Sequence, residues 1–184
     1  MKIKDIILTA LFAALTAIGA FLKIPFPLAA ITMQSFFTAM AAILLGRKYG
    51  ALSQGVYVLI GLVGIPIFAL GGGFSYVFQP TFGFLLGLIP AAWVTGALCR
   101  RPLTFWRTAL AILAGYGVLY AIGVPYMALI ANGYLGKGLT FWQVIRGGML
   151  LYLPGDMLKV VVASLLCVTI ERRLPKAAQP SISA

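Results

Sequence analysis

Long apolar stretches, separated by short polar or glycine-containing segments, dominate the chain. A helix that crosses the roughly 30 Å hydrocarbon core of a membrane needs about 20 mainly apolar residues. Six stretches approach that length: residues 6–22, 31–45, 51–63, 82–98, 108–131 and 144–170. They are continuous apolar runs, whereas the strands of a membrane barrel alternate apolar and polar positions over about ten residues. The pattern therefore predicts an all-α membrane protein with six transmembrane helices.

The composition strengthens this prediction. Hydrophobic residues make up 62% of the 184 residues and charged residues only 9%, with a mean hydropathy of +1.05. A typical water-soluble domain carries about 25% charged residues. We therefore expect a single transmembrane domain over residues 1–174, followed by a short disordered cytoplasmic tail over residues 175–184.

The distribution of lysine and arginine predicts the orientation in the membrane, because short cytoplasmic loops carry an excess of both. With six spans, both termini lie on one side. Ten of the fourteen basic residues fall on that side: Lys2, Lys4, Arg47, Lys48, Arg100, Arg101, Arg107, Arg172, Arg173 and Lys176. Both termini are thus predicted to be cytoplasmic. The net charge of +11 does not indicate nucleic-acid binding, because the charges are grouped at helix ends rather than on one continuous surface.

Asp156, one of only three acidic residues, lies within the sixth apolar stretch, and Lys159 follows one helical turn later. A carboxylate at the bilayer centre costs about 2.5–3.5 kcal/mol, so it normally faces a partner, a cavity or a ligand. Tyr152 shares the helical face of this pair. Pro154 predicts a kink that turns polar backbone toward the same cavity. The pair either binds a polar ligand group or forms a structural bridge that neutralises itself, and the sequence leaves both interpretations open.

The segment 64–81, GIPIFALGGGFSYVFQPT, is too apolar for an ordinary exposed connection. Its three successive glycines can let the backbone pass close to a ligand. The segment also carries four aromatic residues: Phe68, Phe74, Tyr76 and Phe78. These residues predict a lid over an apolar guest. An interfacial aromatic belt is the alternative, and it accounts for the aromatic residues but not for the glycines.

Several functional classes are disfavoured by what the sequence lacks. The chain has no histidine, and the other two acidic residues, Asp5 and Glu171, fall at the predicted cytoplasmic edge. An enzyme that uses Asp156 as an acid or base would require a second acid, a histidine or a metal in the same cavity. No GxxxxGK[ST] motif occurs, so ATP hydrolysis of the P-loop type requires another chain. We expect no resident cofactor, no metal, and no disulfide between Cys99 and Cys167.

Three ordered motifs resemble those of a transporter family. They are AITMQSFFTAMAAILLGRKYGALSQ, then GLVGIPIF with GGG and QPTFGFLLG, then LPGDMLK. Together they resemble BioY, the biotin-specific substrate-binding (S) component of energy-coupling-factor (ECF) transporters, over nearly the whole chain. One departure is PTFGF, with Phe82 and Phe84, where a frequent family form reads PTGGY.

This resemblance implies a six-helix fold and a non-enzymatic, high-affinity biotin receptor in the bacterial cytoplasmic membrane. It also implies two kinds of partner, a transmembrane coupling protein and two cytoplasmic ATPases that consume the ATP. A substrate component for a different small vitamin is the alternative of the same class. An intramembrane enzyme that uses Asp156 is the alternative of another class.

The chemistry of biotin suits the motif residues. Its ureido ring has two N–H donors and one carbonyl, so Asp156 can accept from the ring and Lys159 can donate to it. Further binding candidates come from the matched motifs, the shared helical face and the loop: Thr32, Gln34, Tyr152, Phe68, Gly72, Gly73 and Tyr76. The biotin carboxylate has no assigned partner. Lys23 and Arg146 are on the predicted outer side, and each is equally well explained as a residue that snorkels to the interface.

The first apolar stretch has two overlapping stripes of small residues. One contains Ala10, Ala14 and Ala17, and the other contains Ala13, Ala17 and Ala20. Small residues let another membrane helix approach closely. The family resemblance implies that such an alanine face docks on the coupling protein, whereas packing within this chain is an equally good explanation.

Overall fold

The computed structural model describes residues 3–24 and 31–173, so the predicted tail over residues 175–184 lies outside the described residues. The protein is mostly helical (79%), as the sequence predicts. Its α-helices are α1 (Ile3–Phe21), α2 (Gln34–Leu62), α3 (Phe82–Leu98), α4 (Phe105–Leu129), α5 (Phe141–Ile145) and α6 (Leu153–Arg173). A short antiparallel pair of strands, β1 (Lys23–Ile24) and β2 (Ile31–Thr32), connects α1 to α2.

Within residues 3–24 and 31–173, three helical segments are long and apolar enough to cross a membrane: Ile3–Phe21, Phe105–Tyr134 and Phe141–Arg173. The second and third of these contain π-helical turns at Ile130–Tyr134 and Arg146–Leu150. Helix α3 is also apolar but has only 17 residues. These segments agree with a membrane protein.

The predicted second and third spans form the two halves of α2. Gly46 separates them with a φ of 79° and a ψ of 174°, a backbone conformation outside the helical region. Glycine adopts positive φ without the steric cost that a Cβ would add. The first half begins at Gln34 rather than at Ile31, because Ile31 and Thr32 pair with β1.

Small residues let the helices approach closely in the interior. A Cβ on Gly115 of α4 would lie 2.0 Å from Thr95 Oγ1 of α3. A Cβ on Gly96 of α3 would lie 2.5 Å from the backbone nitrogen of Arg47. These contacts hold α3 between α4 and the break in α2. Close backbone approach at small residues is a common basis of helix packing in membranes.

The predicted sixth span is not one straight helix. A capping box of Thr140 and Gln143 starts α5, which passes into a π-helical turn and then a turn at residues 151–152 before α6 begins. Pro154 lies in the first turn of α6, where a backbone N–H has no intrahelical partner, so its ring costs no hydrogen bond. The predicted kink at Pro154 is therefore wrong in position, because the helix is interrupted before the proline.

Glu171 joins the end of α6 to the connection between α3 and α4. Its carboxylate accepts a hydrogen bond from the Leu103 backbone N–H at 2.6 Å and lies 3.5 Å from the Arg101 guanidinium. Glu171 and Asp156 are thus both engaged within the chain, but on different elements. Of these two residues, only Asp156 lies in the wall of the cavity between α2, α4 and α6.

A candidate ligand cavity between α2, α4 and α6

A cavity opens between the helices and beneath the segment that connects α2 to α3. The space between its walls amounts to about 710 Å³ when the part open to solvent is included. Its wall contains residues from β2, α2, the connecting segment, α3, α4, the π-helical turn, the turn at residues 151–152 and α6: Thr32, Gln34, Ser35, Ala69, Leu70, Tyr76, Thr81, Phe84, Leu85, Leu88, Leu119, Tyr120, Gly148, Tyr152, Asp156 and Lys159. Most of the wall surface is apolar. Four polar residues in the wall contact one another and form its polar group: Ser35, Tyr120, Asp156 and Lys159.

Asp156 and Lys159 form the centre of that polar group. Lys159 Nζ lies 2.8 Å from Asp156 Oδ1, and the two residues are only 8% and 4% exposed. Lys159 also donates to Ser35 Oγ of α2 at 3.2 Å. Tyr120 of α4 donates its phenol proton to Asp156 Oδ2. Three helices therefore hold one buried ion pair in a fixed orientation.

This arrangement retains hydrogen-bonding capacity for a ligand. A carboxylate offers about four lone-pair sites and an ammonium three donors. In the described contacts, Asp156 accepts one bond on each oxygen and Lys159 donates two. Acceptor and donor positions thus remain side by side on a pair with no net charge. Such a surface suits a neutral group that carries N–H donors beside a carbonyl.

A second polar chain connects the cavity wall to the connecting segment. Thr32 Oγ1 donates to Gln34 Oε1 at 2.8 Å, and Gln34 Nε2 donates to the Tyr57 phenol at 2.7 Å. Tyr57 donates in turn to the Ile67 carbonyl at 3.1 Å. Because Tyr57 is fully buried, these bonds satisfy polar groups that would otherwise be costly in the interior. Gln34 is therefore both a wall residue and a support for the segment above.

Phe68 anchors that segment rather than lining the cavity. Its side chain is 1% exposed and packs between the rings of Tyr57, at 5.5 Å, and Tyr76, at 4.7 Å. Tyr76 does line the cavity, and burial raises the pKa of its phenol. The next residues, Ala69 and Leu70, also line the cavity. The anchored phenylalanine thereby fixes the wall residues that follow it in the segment.

The glycine run folds the segment back on itself. Gly71 and Gly73 have φ values of 122° and 99°, which a residue with a Cβ adopts only at a cost. A Cβ on Gly72 would lie 2.3 Å from the Ile65 carbonyl oxygen, and the Gly73 N–H donates to the Gly61 carbonyl at 2.7 Å. The close backbone approach expected of these glycines therefore occurs within the segment and to the end of α2.

Six of the nine sequence-predicted binding residues lie in the wall of this one cavity: Thr32, Gln34, Tyr76, Tyr152, Asp156 and Lys159. The other three, Phe68, Gly72 and Gly73, lie outside that wall. They support the segment that carries Ala69, Leu70 and Tyr76. Their direct contact with a ligand stays a prediction. Each of them has a structural role, Phe68 through its ring packing and the two glycines through close backbone contacts.

Sequence reasoning missed Tyr120 and Ser35, although both contact the ion pair. Neither belongs to a local pattern with Asp156, because they are on α4 and α2. The available signal was a tyrosine in the predicted fifth span and a serine beside Gln34. Phe84, named only as a departure from the family form, also lies in the wall, where its ring contacts that of Tyr120 edge-on at 6.2 Å.

The structure separates the two alanine stripes on α1. Ala13 and Ala20 are buried, at 5% and 0% exposed, so they pack inside the protein. Ala10 and Ala14 are exposed and Ala17 is intermediate. The stripe of Ala10, Ala14 and Ala17 therefore includes the outward surface of the helix, and only it is available to another chain.

Comparisons with known proteins agree with these features. The model of the BioY family matches residues 1–176. A relative described as a probable biotin transporter BioY, from Lysinibacillus sphaericus, is 40% identical over 164 residues, covering 88% of this chain and 84% of the relative. The biotin transporter BioY of Thermotoga maritima is 34% identical over 171 residues, covering 92% and 96%.

A solved structure has the same fold. The crystal structure of the S-component for biotin from an ECF-type ABC transporter superposes with a TM-score of 0.81, covering 97% of this chain and 96% of that one, at 20% sequence identity. The family match over residues 1–176 and the 40% identical relative show the family. The chain belongs to the BioY family.

Proposed function

We propose that this protein is the biotin-binding substrate component of an ECF-type vitamin uptake transporter. The observation that carries the proposal is the buried Asp156–Lys159 pair, held at 2.8 Å in the wall of a largely apolar cavity. Relatives whose names describe biotin transporters, at 40% and 34% identity, support it. The protein binds and delivers its ligand without chemical change.

The ureido ring of biotin matches the polar group of the cavity. Asp156 accepts from the ureido N–H groups, and the remaining donor of Lys159 serves the ureido carbonyl. Tyr120 and Ser35 keep the two charged groups in place for this contact. The thiophane ring and the alkyl chain lie against the apolar wall, which includes Phe84, Leu88 and Leu119 among others.

The six apolar segments supply the membrane topology of the proposal. These are α1, the two halves of α2, α3, α4 with its π-helical turn, and the α5–α6 unit. Both termini lie in the cytoplasm, residues 1–174 form one domain, and the protein resides in the bacterial cytoplasmic membrane. The excess of lysine and arginine on the terminal side supports this orientation.

The proposed partners are a transmembrane coupling protein and the cytoplasmic ATPases of an ECF transporter. The outward face at Ala10 and Ala14 is the proposed docking surface for the coupling protein, with Ala17 at its margin. Exposed small residues support this assignment because they permit close contact between helices. The buried positions Ala13 and Ala20 belong to the interior.

The direct test is equilibrium binding of labelled biotin to the purified chain in detergent, without partner subunits. We expect saturable binding that unlabelled biotin competes and that thiamine and riboflavin do not. Absence of saturable biotin binding would overturn the proposal. Competition by one of the other vitamins at equal concentration would favour a substrate component for a different vitamin.

A further inference from the structure

Lys23 joins the strand pair to residues 64–81, the connecting segment between α2 and α3, which we call the covering segment. Its ammonium donates a hydrogen bond to the Ala69 carbonyl, and Ala69 lies in the cavity wall. In the strand pair, Lys23 is opposite Thr32, which is another wall residue. The strand pairing places the Lys23 backbone beside the wall residue Thr32, and the hydrogen bond to Ala69 places its ammonium at the edge of the cavity.

The charges of the wall are otherwise cancelled. Among the wall residues, only Asp156 and Lys159 are charged, and they pair with each other. Another ion pair, between Arg101 and Glu171, lies outside the wall. A negatively charged ligand group thus meets a neutral pair in the wall and a cation at the edge. Lys23 uses one of its three N–H donors on a neutral carbonyl, which leaves donors for a carboxylate.

We propose that Lys23 determines specificity for the carboxylate of the ligand. This inference rests on the proposed function, in which the ureido ring occupies the polar group at Asp156. The ammonium donates to the carboxylate at the edge of the cavity and keeps its hydrogen bond to the Ala69 carbonyl. Lys23 therefore binds the ligand and the covering segment at the same time. Arg146, the other basic candidate from the sequence, is exposed on the π-helical turn, and no described hydrogen bond joins its side chain to the wall.

The experiment compares two ligands that differ only in this charge. Biotin and biotinamide, its neutral carboxamide, are titrated into the purified wild-type chain and into Lys23→Met, Lys23→Arg and Lys137→Met variants. Lys137 is the matched control, because it is an exposed lysine on the same predicted side. Size-exclusion profiles in detergent check that each variant is folded.

We expect the wild type and Lys137→Met to bind biotin about five- to tenfold more tightly than biotinamide, the size expected of a charge-assisted hydrogen bond that is partly exposed. In Lys23→Met the two ligands should bind with equal affinity, because the lost bond to Ala69 affects both alike and only biotin also loses the contact with its charge. Lys23→Arg should restore the preference. The wild-type preference should also shrink as salt is raised.

Two results would overturn the proposal. If Lys23→Met weakens both ligands by the same factor, Lys23 only tethers the covering segment. If the preference for biotin persists in Lys23→Met, another group binds the carboxylate. Wild-type protein that binds neither ligand would instead overturn the proposed function itself, and this inference with it.

Discussion

The phenol of Tyr120 in α4 donates a hydrogen bond to Asp156 Oδ2 in α6, although the two residues are 36 positions apart in the sequence. The other oxygen of the same carboxylate accepts from Lys159 at 2.8 Å. Asp156 is therefore oriented from two directions. Any ligand that contacts this carboxylate meets it in the orientation that Tyr120 helps to fix.

Replacing Tyr120 by phenylalanine should weaken biotin binding by about tenfold, because one charge-assisted hydrogen bond to Asp156 is lost. The ring would remain in edge-on contact with Phe84, so the fold should be kept. Isothermal titration of the purified variant measures the change. Tyr134→Phe is the control, since Tyr134 is 63% exposed. Equal affinities for the two variants would show that the Tyr120 hydroxyl does not prepare the site.

Asp156→Asn should abolish measurable biotin binding and also reduce stability. It leaves Lys159 buried without its counterion, and breaking a buried pair from one side typically costs about 3–5 kcal/mol. The double variant Asp156→Asn/Lys159→Met removes both charges and should recover most of the stability, but not the binding. Thermal unfolding in detergent and biotin titration measure the two properties separately.

The double variant decides between the two interpretations of the ion pair. If it binds biotin as the wild type does, the pair is only a structural bridge. A matched control neutralises the ion pair of Arg101 and Glu171, through Arg101→Met/Glu171→Gln. We expect that control to keep biotin affinity, because neither residue lies in the cavity wall.

Gly61 lies outside the cavity wall, but Gly61→Ala should still weaken ligand retention. A Cβ at this position would lie 2.1 Å from Phe68 Cζ, so the anchor of the covering segment must shift, at a cost of about 1–3 kcal/mol. We expect faster biotin dissociation and faster proteolysis within residues 64–81. Gly55→Ala in the same helix is the control, since its Cβ meets no atom within 4 Å. Unchanged dissociation in Gly61→Ala would show that Phe68 does not govern the segment.

Ala14→Leu should impair transport but not binding. Ala14 is exposed on the outward face of α1, and a larger side chain would prevent close approach of a helix of the coupling protein. Biotin uptake by cells that express the coupling and ATPase subunits should fall severalfold, while the purified variant binds biotin normally. Ala121→Leu, at an exposed alanine of α4, should leave both properties unchanged. Normal uptake by Ala14→Leu would place the docking surface elsewhere.

Local regularities explain what the sequence predicted well. Helical spacing alone puts Tyr152, Asp156 and Lys159 on one face, and the cost of a carboxylate in an apolar span indicates that this face is not exposed to lipid. All three residues line the cavity. Apolar runs of membrane length likewise predicted a mostly helical protein, because backbone polar groups in a membrane must be satisfied within the segment.

Tertiary packing decided the remainder. Ser35 and Lys159 are separated by 124 positions, and only the packing of α2 and α6 brings them together. Packing also placed Ala13 inside and Ala14 outside, although both stripes have the same composition. Residue type and position within an apolar run show which side chains are costly to bury, because that cost comes from moving a charged group out of water. Which partners satisfy them depended on contacts between distant segments, and these follow from the shape of the whole fold.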